Sequence, residues 1–353
     1  MNLKIKKLLF IFLFTVISLE ISFHFKYQKY SLFFEPSLQE EYNMPAYQAL
    51  DPLLGYAANP NYTPIQSEIN TDFLSSPEKI RKSENGFILL ENLLNNNPIR
   101  IVILGSSTTD PYMFSGNWPW QLHQILNEKK ISHVIYNGAL SGYTSTQQLI
   151  KLIRDVIYLK NIDILITYSG LTDVFDTGDM MVSHLGIHTY QQYLFELLSG
   201  EKIHNQQFKY LPNLQFGMSN LYSKFFPKRK TYVEYGIKNT NIIDTFVNNI
   251  KIMNAICNLK NIKFYHFLTQ VIQNNSQIEP TVQNTYTYPK DDTYKAAVEN
   301  FYTIVENKLK SESYSQSFFK LLPENQPLFF DNIHVNDRGN RLIAEKIFYT
   351  IKR

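Results

Sequence analysis

The chain has 353 residues, 44% of them apolar, and a formal net charge of +3 from 34 basic and 31 acidic side chains. That length buries one sizeable core with a smaller appendage, and so balanced a charge leaves no electrostatic footprint for nucleic acid. A single cysteine, Cys257, excludes an internal disulfide, and the chain carries no internal repeat.

Lys4, Lys6 and Lys7 precede the run Leu8 to Leu19, which is apolar on every face. This is the charged n-region and apolar h-region of an export signal, and the flank Glu20 to Lys26 has no Ala-x-Ala-like cleavage site. Residues 1–25 therefore predict a signal anchor, with a removed signal peptide as the alternative. The basic flank stays in the cytoplasm and the remaining chain lies outside it, periplasmic or extracellular, held to the membrane by this one helix. Residues 26–97 carry scattered prolines, among them Asp51-Pro52 and Asn59-Pro60, followed by Glu84-Asn85-Gly86-Phe87. They read as an extended neck and a small N-terminal extension of the following domain, with no chemistry assigned.

The first strong strand is Pro98 to Leu104, β-branched and apolar, ending at Gly105-Ser106-Ser107-Thr108. A second strand, His133 to Asn137, enters the turn Gly138 to Thr144. Ser145 with Gln148 forms a capping-box pattern, and Leu149, Leu152, Ile153, Val156 and Leu159 continue at helical spacing. Gly142 in this turn lets the backbone approach a bound oxygen and present its N–H. The third strand, Ile162 to Tyr168, leads into Ser169-Gly170-Leu171-Thr172-Asp173. Strands alternating with helices predict a mostly parallel sheet, and ligands of such sheets sit beyond the carboxyl ends of the strands, where these three polar turns converge.

Residues 176–240 are aromatic-rich and without clear periodicity, a candidate lid or substrate-recognition insertion. Within it, His184 and His188 are four apart but lack the acidic neighbour of a zinc motif, and Lys224 with Lys228-Arg229-Lys230 reads as a solvated basic loop. Beyond it come a helix over Ile242 to Leu259, whose stripe Phe246, Ile250, Met253 and Cys257 makes the cysteine a packing thiol, a strand over Ile262 to Leu268, and an amphipathic helix over Asp292 to Leu309.

Near the C-terminus, Asp331 precedes His334 by three residues, just ahead of another apolar helix. A serine hydroxyl is a poor nucleophile at neutral pH unless an imidazole takes its proton, and the imidazole needs an acceptor on its other nitrogen to fix its tautomer. Asp331 is the natural acceptor. The chain contains no Gly-x-Ser-x-Gly, no Gly-x-Gly-x-x-Gly and no Gly-x-x-x-x-Gly-Lys, so an α/β-hydrolase elbow and the nucleotide-binding loops have no support.

Taken in order, these segments resemble the SGNH hydrolases, also called the GDSL esterase and lipase family, over residues 98–353. Gly105-Ser106-Ser107-Thr108 resembles the first block, Gly142 the glycine of the second, Gly170 and Asp173 the third, and Asp331 with His334 the last. The resemblance implies a three-layer α/β/α flavodoxin-like sandwich, no cofactor and no metal. It implies Ser107 as nucleophile, with the adjacent Ser106 as a second candidate, His334 as general base and Asp331 as its orienter. The oxyanion donors are then the backbone N–H groups of Ser107 and Gly142, plus the residue at the position of the third-block asparagine. Here that residue is Thr172, which offers one rotating hydroxyl in place of an amide. Asn137 is a further candidate for the missing amide. Implied substrates are acyl esters, first an O-acetyl group on a surface or periplasmic carbohydrate and second a lipid or short-chain ester. The same residues also serve an acyltransferase, and Thr172 suits a catalytically silent glycan-binding or assembly protein.

Overall fold

The computed structural model describes residues 48–51, 53–59, 81–82, 86–111, 116–176, 240–280 and 292–352, with a few isolated positions before residue 23. The expected anchor helix, most of the neck, and the insertion with His184, His188, Lys224 and Lys228 to Lys230 lie outside the described residues. Among the described residues no helix is long and apolar enough to cross a membrane.

Strands β1 (Gln48–Asp51) and β2 (Gly55–Ala58) form a separate antiparallel hairpin. The main sheet contains β3 (Arg81–Lys82), β4 (Ile88–Asn92), β5 (Ile99–Gly105), β6 (His133–Asn137), β7 (Ile164–Ser169), β8 (Lys263–Leu268) and β9 (Ser315–Ser317). Their order is β3-β4-β6-β5-β7-β8-β9. Strands β5 to β9 run parallel, while β4 and then β3 extend the edge beyond β6 in antiparallel fashion. Counted from β5, the parallel strands lie in the flavodoxin-like order 2-1-3-4-5, which reverses direction at β5 and β7.

Two helix layers sandwich the sheet. Helix α1 (Trp118–Glu128) packs with α6 (Asp337–Ile351), and α2 (Ser145–Arg154) and α5 (Asp292–Leu309) each pack against α4 (Thr240–Leu259); α3 (Leu171–Asp176) is a short helix after β7. The faces follow from strand alternation. Tyr168 meets Trp118 of α1 at 5.4 Å between ring centroids, whereas His266, paired in register with Thr167, meets Phe246 of α4 at 5.7 Å. Covered on both faces, Ile101 to Leu104 and Ile164 to Tyr168 are buried along their whole length, which is why they read as unbroken apolar runs.

The expected elements differ from the observed ones in two instructive places. The N-cap of α2 is Thr144, not Ser145; Thr144 and Gln147 form the reciprocal capping box, so the pattern is shifted by one residue. Helix α2 also stops at Arg154, giving way to a 3₁₀ turn over Val156–Tyr158, and within the helix Ile153 lies exposed although its spacing places it on the core stripe. Cys257 is buried among the α4 stripe residues, and burial pushes its thiol up to about 12, consistent with packing.

Candidate active site

Strand β5 delivers the chain to the rim, where both the Thr109 and Asp110 N–H groups donate to the Ser106 carbonyl at 2.9 Å, closing a tight turn. Gly105 is required immediately before it, because a Cβ there would lie 2.6 Å from Thr109 Oγ1 and 3.0 Å from the Tyr168 carbonyl. The turn is fixed from outside as well: Trp118 Nε1 donates to Thr109 Oγ1 at 3.0 Å and Asn117 Nδ2 to the Thr109 and Asp110 carbonyls at 3.1 Å. Of the two adjacent serines, Ser106 is 2% exposed while Ser107 is half-buried at the rim.

Ser107 Oγ lies 2.7 Å from His334 Nε2, and His334 Nδ1 lies 2.6 Å from Asp331 Oδ2. The histidine loop is shaped by the same aspartate, whose Oδ1 accepts the N–H groups of Ile333 and His334, each at 2.8 Å. Its outer side is tied to the segment after β8, with Gln270 Nε2 donating to the Ile333 carbonyl and Ile272 N–H to the Asn332 carbonyl. Burial alone would raise the Asp331 carboxyl, but the hydrogen bonds and charge of His334 and the two backbone donors outweigh it and hold the group below its ordinary value. Asp331 is thus an ionised acceptor that keeps the imidazole proton on Nδ1, leaving Nε2 to face the serine as a base.

The turn after β6 is bonded directly to the Ser107 turn. Leu140 N–H donates to the Gly105 carbonyl at 3.3 Å, and Ser141 N–H to Asp110 Oδ2 at 2.7 Å. Gly142 follows at φ +82°, a conformation that glycine adopts without strain. Among the described residues, the N–H groups of Ser107 and Gly142 have no protein acceptor. Asn137 Nδ2 donates to the Thr109 carbonyl at 2.9 Å and its Oδ1 accepts from Ala139 N–H at 3.0 Å. It is a brace between the first two turns.

The third turn leaves the strand next door, since Gly105 and Tyr168 are register partners across β5 and β7. Thr172 lies half-buried in the first turn of α3. Its neighbour Asp173 is buried and accepts from Ser145, at 2.6 Å from Oγ and 3.0 Å from N–H, tying the third turn to the start of α2. Burial drives its carboxyl up to about 7 even though the Ser145 hydrogen bonds oppose the shift. Asp173 belongs to the matched third block, whereas Asp110 carries no motif, and its place three residues beyond Ser107 is its only signal in the sequence. Among the described residues no cluster of His, Cys, Asp and Glu is arranged to hold a metal.

A serine hydroxyl, an imidazole and a carboxylate in one hydrogen-bonded line form an arrangement that can carry out acyl transfer. No family model matches the chain, and no curated protein matches it. Among solved structures it is similar to an acetyl xylan esterase (14% identity, covering 72% of this chain and 100% of the other, TM-score 0.42). It is also similar to an acetylxylan esterase from Geobacillus stearothermophilus (12%, 72% and 94%, TM-score 0.43). A third is a GDSL-like lipase from Bacteroides thetaiotaomicron (15%, 72% and 87%, TM-score 0.39). With overlaps this loose, the side-chain geometry carries the functional reading.

Proposed function

We propose that the chain is a serine ester hydrolase of the SGNH type. The observation that carries this reading is the line Ser107 Oγ, His334 Nε2, His334 Nδ1, Asp331 Oδ2, with successive contacts of 2.7 and 2.6 Å. In the proposed mechanism Ser107 attacks the acyl carbonyl while His334 takes its proton, and the backbone N–H groups of Ser107 and Gly142 receive the developing oxyanion, with Thr172 a weakened third donor. His334 then protonates the leaving alkoxide, and water, deprotonated by the same imidazole, resolves the acyl-enzyme.

The proposed substrate is an O-acetyl group on a carbohydrate outside the cytoplasm, motivated by the export-like N-terminus and the family resemblance; a lipid or short-chain ester is second. In this proposal the chain is anchored by residues 1–25, and N-terminal sequencing of the mature protein tests that: a chain beginning near residue 25 refutes the anchor. Thr172 favours one other reading, a catalytically silent glycan-binding protein. Turnover of p-nitrophenyl acetate by the purified protein and by its Ser107→Ala variant separates the two. Activity lost in the variant supports the esterase. Equal turnover by both removes Ser107 from the mechanism, and inertness of both on every acyl ester favours the silent protein.

A further inference from the structure

The hairpin β1–β2 stands apart from the main sheet, and its docking is specific. Leu54 and Tyr56 form a small buried core with Leu140 and Tyr143, the rings of Tyr56 and Tyr143 lying 5.3 Å apart. Tyr143 Oη donates to the Tyr56 carbonyl at 2.8 Å, Gln147 Nε2 to the Leu54 carbonyl at 2.7 Å, and Arg154 Nη1 bonds Asp51 Oδ2 at 2.6 Å. All of these partners belong to the turn after β6 or to α2. The hairpin thus sits on the segment that carries Gly142.

Its closest polar contact is the informative one. Tyr56 Oη donates to the Ser141 carbonyl at 2.5 Å, and Tyr56 is 1% exposed. The Ser141 carbonyl and the Gly142 N–H are the two ends of a single peptide unit, which is planar, and in the usual trans form they point in opposite directions. Holding the carbonyl therefore fixes the direction of the N–H. The preceding peptide unit, which carries the Ser141 N–H, is held separately by Asp110 Oδ2. A donor on the carbonyl also polarises the amide and strengthens its N–H as a donor.

We propose that Tyr56 is a positioning residue whose hydroxyl, gripping the Ser141 carbonyl, aims the Gly142 N–H at the substrate oxyanion. The role rests on the esterase reading above. It matters more here than in a site with a third-block asparagine, because Thr172 leaves the backbone donors to carry most of the stabilisation.

The test uses the full-length chain in detergent and the variants Tyr56→Phe, Ser107→Ala and Arg154→Gln. Tyr56→Phe keeps the ring and the hairpin core, and kcat on p-nitrophenyl acetate is expected to fall roughly 10- to 100-fold with KM within about twofold, the signature of a misaimed transition-state donor. The Gly142 amide resonance in a ¹H–¹⁵N spectrum shifts in the same variant. Arg154→Gln loosens the hairpin but leaves the hydroxyl in place; its melting temperature falls while kcat stays near wild type. Wild-type kcat and an unmoved Gly142 amide in Tyr56→Phe overturn the proposal, as does an equal kcat loss in Arg154→Gln. Turnover surviving in Ser107→Ala instead overturns the esterase reading, and the Gly142 resonance still reports on the tyrosine's grip. Should Tyr56→Phe fail to fold, 3-fluorotyrosine at position 56 keeps the contact with a more acidic hydroxyl; a Gly142 amide that does not move then refutes it.

Discussion

Replacing Asp331 with asparagine separates the catalytic work of this side chain from its structural work. Oδ1 accepts two backbone N–H groups, from Ile333 and His334 at 2.8 Å, so only an acceptor atom fits there. An asparagine must keep its carbonyl oxygen in that position and turn its NH₂ toward His334 Nδ1, which the carboxylate approaches at 2.6 Å. The NH₂ can only donate, so Nδ1 becomes the acceptor and the imidazole proton moves to Nε2. That proton now faces Ser107 Oγ across 2.7 Å, and the base is lost with every heavy atom in place. A wrong tautomer of this kind costs about 10⁴ in kcat, or about 5.5 kcal/mol of barrier. Asp331→Ala behaves differently, because it strands two backbone donors, at about 1 kcal/mol or more each in a loop that is only partly buried. Steady-state hydrolysis of p-nitrophenyl acetate and thermal unfolding, measured on both variants, read the two effects apart. Asp331→Asn within tenfold of wild-type kcat, or melting as early as Asp331→Ala, would refute the tautomer argument.

Thr172→Asn is expected to raise kcat by about tenfold or more, since a well-placed oxyanion donor is worth on the order of a hundredfold and one hydroxyl supplies only part of that; an unchanged or lower kcat in a folded variant means that position 172 does not face the oxyanion. Stability should also fall in acid through His266, whose imidazole is fully buried and lowered by burial from 6.5 to about 3. The unfolded chain binds the extra proton between those values, so this contribution is complete above the unfolded pKa and is lost as pH drops through the window, with a ceiling of about 5 kcal/mol. Denaturant unfolding across pH 4 to 7 checks it: His266→Gln should flatten the slope, and a slope equal to that of wild type counts against burial as the cause.

Much of the fold was legible because its signals are local. The strands β5, β6 and β7 are buried on both faces and announce themselves as apolar runs ending in glycine and hydroxyl residues, and α5 spans the residues its periodicity predicts. Boundaries were less legible where two caps compete. Thr144 and Ser145 both have the hydroxyl, and Gln147 and Gln148 both have the amide; what decides the register is that Ser145 is needed by Asp173, twenty-eight residues away.

The candidate site divides along the same line. Its histidine half is read from one four-residue stretch of sequence, because Asp331 and His334 share one loop and one carboxylate both shapes the loop and orients the ring. Its oxyanion half is assembled from contacts of long sequence separation: Asp110 to Ser141, Asp173 to Ser145, and Tyr56 to Ser141 across eighty-five residues. Asp110 and Tyr56 carry no motif, and a tyrosine in a proline-rich leader gives no sign that its hydroxyl ends on a particular carbonyl. The missing asparagine at position 172 therefore invites the wrong question when asked of the sequence alone. In the role proposed for Tyr56, a peptide plane held at its carbonyl gives the Gly142 N–H a fixed direction, and the strength of the oxyanion site then depends on that one hydroxyl as much as on Thr172.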